Sequence, residues 1–316
     1  MHLTILFLAL IVAVTATALP NQPQDTSSSS NSSESDEKRE EHKKPQQRKY
    51  FKEAGATMEL GHYDKRYFKS QVPYAEHRPA LRHLVRSWLT TSRELGVETW
   101  LAHGTLLGWW WGGRVMPWDY DLDVQMPTTT LSYLGRYFNQ TLHDYAFNAW
   151  KEGEDGPEWI NKTYLLDVNP HAGDIDRGNG ANIIDARWID TSNGLYIDIT
   201  GLAERDPAGA PGIWSCKNSH KYRIGELYPI RRTEFEGVPA RVPYAFDKIL
   251  TDEYGGKSLT NTEWLGHHWV PELKQWVKNP DPPPEEKGQA TLKKPPKPNN
   301  NAVVVVVEKT VVKGTS

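Results

Sequence analysis

The stretch 103–126, HGTLLGWWWGGRVMPWDYDLDVQM, places the tightest constraint on what this chain can fold into. Asp119, Asp121 and Asp123 stand at every second position within it. A strand over 119–126 points alternate side chains to opposite faces. Asp119, Asp121, Asp123 and Gln125 then share one face, and Tyr120, Leu122, Val124 and Met126 share the other. The second set suits a core. The first lines up three carboxylates with about 7 Å between neighbours. Like charges so placed repel, and burial raises their pKa values. A divalent cation that takes oxygen ligands, Mg²⁺ or Mn²⁺, resolves the conflict. A merely solvated acidic face is the simpler alternative, but Asp is disfavoured in strands, and three in alternation need a reason. D-x-D-x-D also opens a calcium-binding EF-hand loop, which requires Gly at its sixth position and Glu at its twelfth. Those positions hold Val124 and Thr130, so that loop is excluded.

The surrounding pattern places this stretch in an alternation of helices and strands. Leu81, Leu84, Val85, Trp88, Leu89 and Leu95 recur at helical spacing over 78–95, and Gly96 fits the helix end. VETWLA at 97–102 reads as a strand, His103-Gly104-Thr105 as a turn, and 106–111 as the opening of a short helix. A glycine turn at a helix N-terminus offers N–H groups and a favourable dipole to phosphate. His103 contacts phosphate or positions an acceptor on this reading; a structural turn histidine is the equal alternative. Leu131, Leu134, Phe138 and Leu142 make the next helix, and 164–168 a further strand. The loop 169–180 is long enough to be functional rather than connective. NIIDARWID and LYIDIT flank Thr191-Ser192-Asn193-Gly194, and Asn-Gly between apolar strands signals a hairpin. Asp198 in the second of these strands is a structural carboxylate or, beside the acidic strand, a further metal ligand. Residues 226–243 read as two short strands around Glu236-Gly237, and 244–276 as mostly helical. A mixed α/β domain over 78–276 follows.

The rest of the chain bounds the setting. Residues 3–14 form an apolar run ending in Ala16-Thr17-Ala18, which reads as a secretory signal peptide over 1–18 or an uncleaved type II anchor. Residues 21–52 are rich in Ser, Glu, Lys and Gln and imply a disordered stem that leads, by 77, to the domain. The Pro- and Lys-rich residues from 277 onward imply a disordered tail, and the β-prone AVVVVVEKTVVK within it is too short to span a bilayer. Asn31, Asn139 and Asn161 begin glycosylation sequons. The secretory pathway is the expected location: Golgi lumen, Golgi membrane or secreted. Cys216 is the one cysteine, which rules out an intramolecular disulfide and a four-cysteine zinc site. The net charge of -3 gives no reason to expect nucleic acid as a partner. The 13 tryptophans exceed what a core of this size requires, and the surplus suits a carbohydrate-facing cleft.

HGTLLG followed by PWDYDLDV resembles the LicD/fukutin family of phosphotransferases, and WWWGGRVMPWD between them is most similar to fungal members linked to mannosylphosphate transfer. ARWIDTSNGLYIDIT, PIRRTEFEGVPARVP and a YGG segment follow in the order expected of that family. The resemblance implies a nucleotidyltransferase-like mixed sheet flanked by helices. It also implies transfer of a phosphosugar-type group from a nucleotide-activated sugar donor to a glycan or glycoprotein acceptor, with Mg²⁺ or Mn²⁺. It carries metal binding to Asp121, Asp123 and Asp198, with Asp119 beside them as a ligand or base. Donor and substrate contacts fall on His103, Gly104, Thr105, Gly108 and Trp118. Trp109 to Trp111 stand where bacterial members place a basic residue, and Arg114 or Arg187 is the expected substitute. Two other functions are open at this stage. One is an accessory protein that binds glycan or a transferase partner in the Golgi; the other is a DxD glycosyltransferase, against which the glycine turn argues.

Overall fold

The structure is a computed structural model and describes residues 48–149, 158–174 and 180–280. The expected signal segment, most of the stem, the Asn31 sequon and the tail from 281 lie outside the described residues. Among the described residues no helix is long and apolar enough to cross a membrane.

In chain order the elements are α1 (Tyr74–Glu94), β1 (Trp100–Leu101), α2 (His103–Gly112), β2 (Leu122–Pro127), α3 (Thr128–Tyr137), β3 (Thr141–Ala149), β4 (Glu158–Val168), β5 (Ala186–Asp190), β6 (Tyr196–Glu204), β7 (Ile213–Ser215) and β8 (Lys221–Arg223). Then come α4 (Ile224–Leu227), β9 (Arg231–Phe235), β10 (Val238–Val242), α5 (Phe246–Tyr254), β11 (Glu263–Trp264), β12 (His267–Val270) and β13 (Gln275–Lys278). The main sheet runs β1-β2-β6-β5-β4-β3, with β7 and β8 continuing from β6. β2 and β6 are parallel and the other pairs are antiparallel, so the sheet is mixed. β9–β10 and β11–β13 form two small antiparallel sheets.

The register sorts the sheet into two faces. Leu122, Ile197, Trp188 and Leu166 are partners across four strands, as are Val124, Ile199 and Ala186 across three. All seven are fully buried. Helices α1 and α3 cover this face. The Trp88 and Trp188 rings lie 5.5 Å apart, and the Trp188 indole N–H donates to Ser87 Oγ at 2.9 Å. A Cβ on Gly201 would stand 3.0 Å from Leu131 Cδ2, so the glycine lets α3 settle onto β6. The opposite face carries Asp123, Asp198, Arg187 and Asp167. Residues 48–72, assigned to the end of the stem and to an approach segment that could pack on the domain, cover part of this face. Tyr50 donates its hydroxyl proton to Asp167 Oδ1, Tyr196 donates to the Gly61 carbonyl, and Tyr67 packs on Leu165, Ile189 and Tyr196.

The structure departs from the expected elements at several places. The strand before HGT is only Trp100–Leu101. HGT itself is the first turn of α2 rather than a turn preceding it. Leu142, grouped with the helix after the acidic stretch, lies on β3 and is exposed, because Phe138 ends α3 and Gln140 turns the chain at φ 59°. Residues 244–276 hold one α-helix of nine residues, a 3-10 turn at Gly256–Leu259 and then a sheet, not a mostly helical segment. Leu265 and Gly266 both have positive φ, 44° and 71°, the geometry of a tight hairpin turn between β11 and β12. The Asn193-Gly194 hairpin and the two strands around Glu236-Gly237 form as expected.

Two features of this packing have measurable consequences. Lys217 Nζ pairs with Asp185 Oδ1 at 2.7 Å, with both side chains almost wholly buried, and donates to the His171 carbonyl at 2.8 Å. Lys217→Met strands the Asp185 charge and lowers stability by about 3–5 kcal/mol in urea unfolding, whereas adding Asp185→Asn recovers much of the loss. His83 stacks on Phe147 at 3.4 Å. Burial, with Arg82 and Arg86 nearby, pulls its pKa down to about 4. The unfolded chain therefore binds this proton more readily, so the contribution of neutral His83 fades as pH falls from about 6.5 toward 4. His83→Phe should show a smaller drop in denaturation midpoint between pH 7 and pH 5 than the parent.

Candidate functional site

The site is built where the parallel pair β2–β6 exposes its polar face. Asp123 on β2 is the register partner of Asp198 on β6, so the two carboxylates stand on one face of neighbouring strands, about 4.8 Å apart at the backbone. Asp119 and Asp121 precede β2 rather than belonging to it, a correction to the strand expected over 119–126. The Asp119 N–H donates to the Met116 carbonyl at 3.2 Å, which keeps this part in a turn. Curvature of the approach, not pleat alone, brings the acids together: Asp119, Asp121 and Asp123 all line one cavity of about 480 Å³. Asp121 also lines a second cavity, of about 300 Å³, with Asp198, Arg187, His62 and Lys49.

Helix α2 is fastened to the acidic strand at its first turn. The Asp123 N–H donates to Thr105 Oγ1 at 2.8 Å, and the Ala102 N–H donates to the Asp123 carbonyl at 3.1 Å. Thr105 is buried and acts on the backbone of Asp123. A Cβ on Gly104 would lie 3.8 Å from Asp119 Oδ2, so the bare backbone of Gly104 sits against that carboxylate. The partial positive charge of a helix N-terminus favours such an arrangement. Gly108 has a different reason: a Cβ there would stand 2.6 Å from the Arg114 carbonyl oxygen. It allows the chain to fold back after α2 and is not at the acids.

Several expected contacts are placed otherwise. Arg187 is 2 % exposed and its Nε donates to Asp198 Oδ1 at 2.8 Å. Its Nη2 donates to Glu53 Oε1 at 2.9 Å, and its guanidinium lies 3.6 Å over the Tyr196 ring. It therefore serves first to hold Asp198. Arg114 is exposed and lines a separate surface cavity with Arg78, Arg82 and Glu236. Trp118 lies in the wall of the 480 Å³ cavity, edge-on to Trp276 at 5.0 Å. His103 has φ 51° at the start of α2, and its Nδ1 lies 2.6 Å from Glu253 Oε1. Its ring is 4.3 Å from that of His220, and the three residues His103, His220 and Glu253 offer ligand atoms within 4.8 Å of one another. That set has the donor types and the spacing for a cation of its own.

The electrostatics are uneven across the acids. Burial, helped by the charge of Asp121, pushes the Asp119 carboxyl up to about 7. Burial and then Asp121 push Asp123 well above the usual carboxylate range. Burial also raises Asp198, although Arg187 draws it back. Asp121 behaves oppositely. Burial would raise it, but the His62 imidazole 3.5 Å from Oδ2 outweighs that and holds it low. His62 is raised in turn, Asp121 overcoming the effect of burial. Among the described residues Asp119 and Asp123 have no basic side chain within ion-pairing distance. Two crowded carboxylates without a cationic partner, flanked by two that have one, form a donor set that fits a hard divalent ion.

Sequence reasoning missed His62, Glu53, His220 and Glu253. His62 and Glu53 lie in the segment assigned to stem and approach, and nothing in their local pattern marks them. His220 and Glu253 meet His103 only through the fold of β7–β8 and α5.

A family model described as LicD/FKTN/FKRP, nucleotidyltransferase domain, matches residues 96–245, a range that contains α2, β2 and β6. Mannosyltransferase regulator 4 of Saccharomyces cerevisiae is 41% identical over 164 residues, which cover 50% of this chain and 13% of that protein. Mannosyltransferase regulator 14 of the same yeast is 34% identical over 242 residues, 74% of this chain and 23% of that protein. The chain thus spans less than a quarter of the length of either relative. It carries a LicD/FKTN/FKRP-family domain over residues 96–245 and resembles two fungal mannosyltransferase regulators.

Proposed function

We propose that the domain is a phosphotransferase that moves a phosphosugar-type group, mannosylphosphate in kind, from a nucleotide-activated donor onto a cell-wall or glycoprotein glycan. The observation that supports this best is the register pairing of Asp123 with Asp198 beside Asp119 and Asp121. Asp121, Asp123 and Asp198 would hold Mg²⁺ or Mn²⁺, which when bound supplies charge neutralisation for a diphosphate. Arg187 and His62 pair with Asp198 and Asp121 and orient them. Asp119, with a pKa of about 7, is poised to accept a proton near neutral pH. In the transfer, the acceptor hydroxyl gives its proton to Asp119 while its oxygen bonds to the sugar-bearing phosphorus. The bond from that phosphorus to the bridging oxygen breaks, and nucleoside monophosphate leaves. Gly104 lines the cavity on the α2 side, next in the chain to His103, which is held by Glu253.

A second reading follows from the names of the relatives: a regulator that binds glycan or a transferase partner without turnover. A secretory-pathway location, in the Golgi or beyond it, suits either reading.

Asp121→Ala with Asp123→Ala should abolish metal-dependent release of nucleotide from a nucleotide-sugar while leaving the circular dichroism spectrum and cooperative unfolding intact. Unchanged turnover would reject the catalytic assignment. Nucleotide-sugars screened by thermal shift should raise the melting temperature only with Mn²⁺ or Mg²⁺ present, and not in the double variant. A metal-dependent shift without any turnover would favour the regulator.

A further inference from the structure

The 480 Å³ cavity has a character the carboxylates alone do not explain. Its size falls within the roughly 300–1,000 Å³ of small-ligand pockets. Its lining is in part the acidic set and in part aromatic: Trp111, Trp118, Trp264, Trp276 and Tyr254. The sheet β11–β13 supplies two of these rings and α2 supplies Trp111, whose indole N–H donates to the Ser258 carbonyl at 2.9 Å. Trp111 and Trp276 meet edge-on at 4.8 Å, so this wall is pre-formed. Trp264 is different. It stands on the two-residue strand β11 and is 56 % exposed, a large ring facing solvent at the mouth of a cavity. Lys257, Ser258 and Asn261 complete the lining with hydrogen-bonding groups.

Charge decides between occupants. The cavity holds three carboxylates and one lysine, so away from a cation held by Asp121 and Asp123 its walls disfavour an anionic ligand. The neighbouring 300 Å³ cavity sets Lys49, His62 and Arg187 against Glu53, Asp121 and Asp198, and is therefore the less acidic of the two. The two cavities share Asp121. A neutral pyranose suits the aromatic side: its C–H faces pack on indole rings, and its hydroxyls donate to carboxylates and amides.

We propose that the aromatic cavity is the acceptor subsite, binding a neutral glycan chain by stacking on Trp264 and directing one hydroxyl toward Asp119, while the donor occupies the cavity on the far side of Asp121. The word acceptor rests on the phosphotransferase reading above; the glycan binding does not. In the full chain, α-mannotriose is titrated by quenching of tryptophan fluorescence and by calorimetry, and GDP-mannose with Mn²⁺ is titrated separately. Trp264→Ala should weaken mannotriose binding by about tenfold and leave GDP-mannose affinity as in the parent, with Trp264→Phe recovering most of the loss. Because the ring is exposed, neither variant should alter the melting temperature. Undetectable mannotriose binding by the parent overturns the assignment. So does unchanged affinity in Trp264→Ala, or a loss confined to GDP-mannose, which would make the cavity a nucleobase pocket. Unaltered turnover in the Asp121/Asp123 variant would sink the transfer chemistry while leaving the mannotriose affinities untouched, so the two failures are read apart.

Discussion

The parallel pairing of β2 with β6 is the constraint on which the rest depends. Parallel neighbours cannot be joined by a hairpin; they need a crossover. Here the crossover contains α3 and the strands β3, β4 and β5, and it returns β6 to the side of β2 with Asp198 against Asp123. Because side chains alternate, that one register assigns every residue of both strands. Leu122, Val124, Ile197 and Ile199 go under the helices, and the acids go to the other face. A slip of one residue would place carboxylates in the core and isoleucines in the cleft. The apolar half of the pattern therefore enforces the acidic half.

Gathering four carboxylates costs stability, and the fold offsets part of that cost locally. Arg187 is shared between Asp198 and Glu53, and its guanidinium is sandwiched between Tyr196 and Phe51. That arrangement desolvates the cation but gives it two anions and two aromatic faces. Glu53, Phe51 and His62 all come from the segment before α1. That segment is thus part of the site: through Glu53 it fixes Arg187, the partner of Asp198, and through His62 it holds Asp121. Asp119 and Asp123 receive no such partner among the described residues, and their raised pKa values record the deficit.

The sequence disclosed the acids and hid their assembly. Alternation of Asp119, Asp121 and Asp123 is a local signal, and the Asn193-Gly194 turn next to LYIDIT is another; the fold gathers the residues that both picked out. The strand start was misplaced because alternation was read as pleat throughout, whereas a turn closed by Met116 and Asp119 carries the first two acids into the same cavity. Arg187 looked like a phosphate ligand because sequence reports its charge and not its burial. His62 and Glu53 were invisible because their role depends on contacts across the sheet. The C-terminal sheet was read as helix because a short run of aromatics and Leu fits either period, and the Leu265-Gly266 turn was the overlooked signal.

The same electrostatics bear on whether the domain transfers a group or only binds one. A module that merely holds a glycan needs aromatic faces and neutral hydrogen-bonding groups, and those are present at Trp264 and Asn261 without help from the strand. Placing Asp123 beside Asp198 in a poorly solvated cleft would be a burden to such a module, since amides could hold sugar hydroxyls without the desolvation of charge. The burden makes sense where a cation and a diphosphate are to be bound, because the repulsion then becomes attraction. Asp119 adds to this. It is held against the bare backbone of Gly104 and raised toward neutrality, a property useful to a group that takes up a proton and of no use in simple recognition. The cost built into these residues is the physical argument for chemistry at this site.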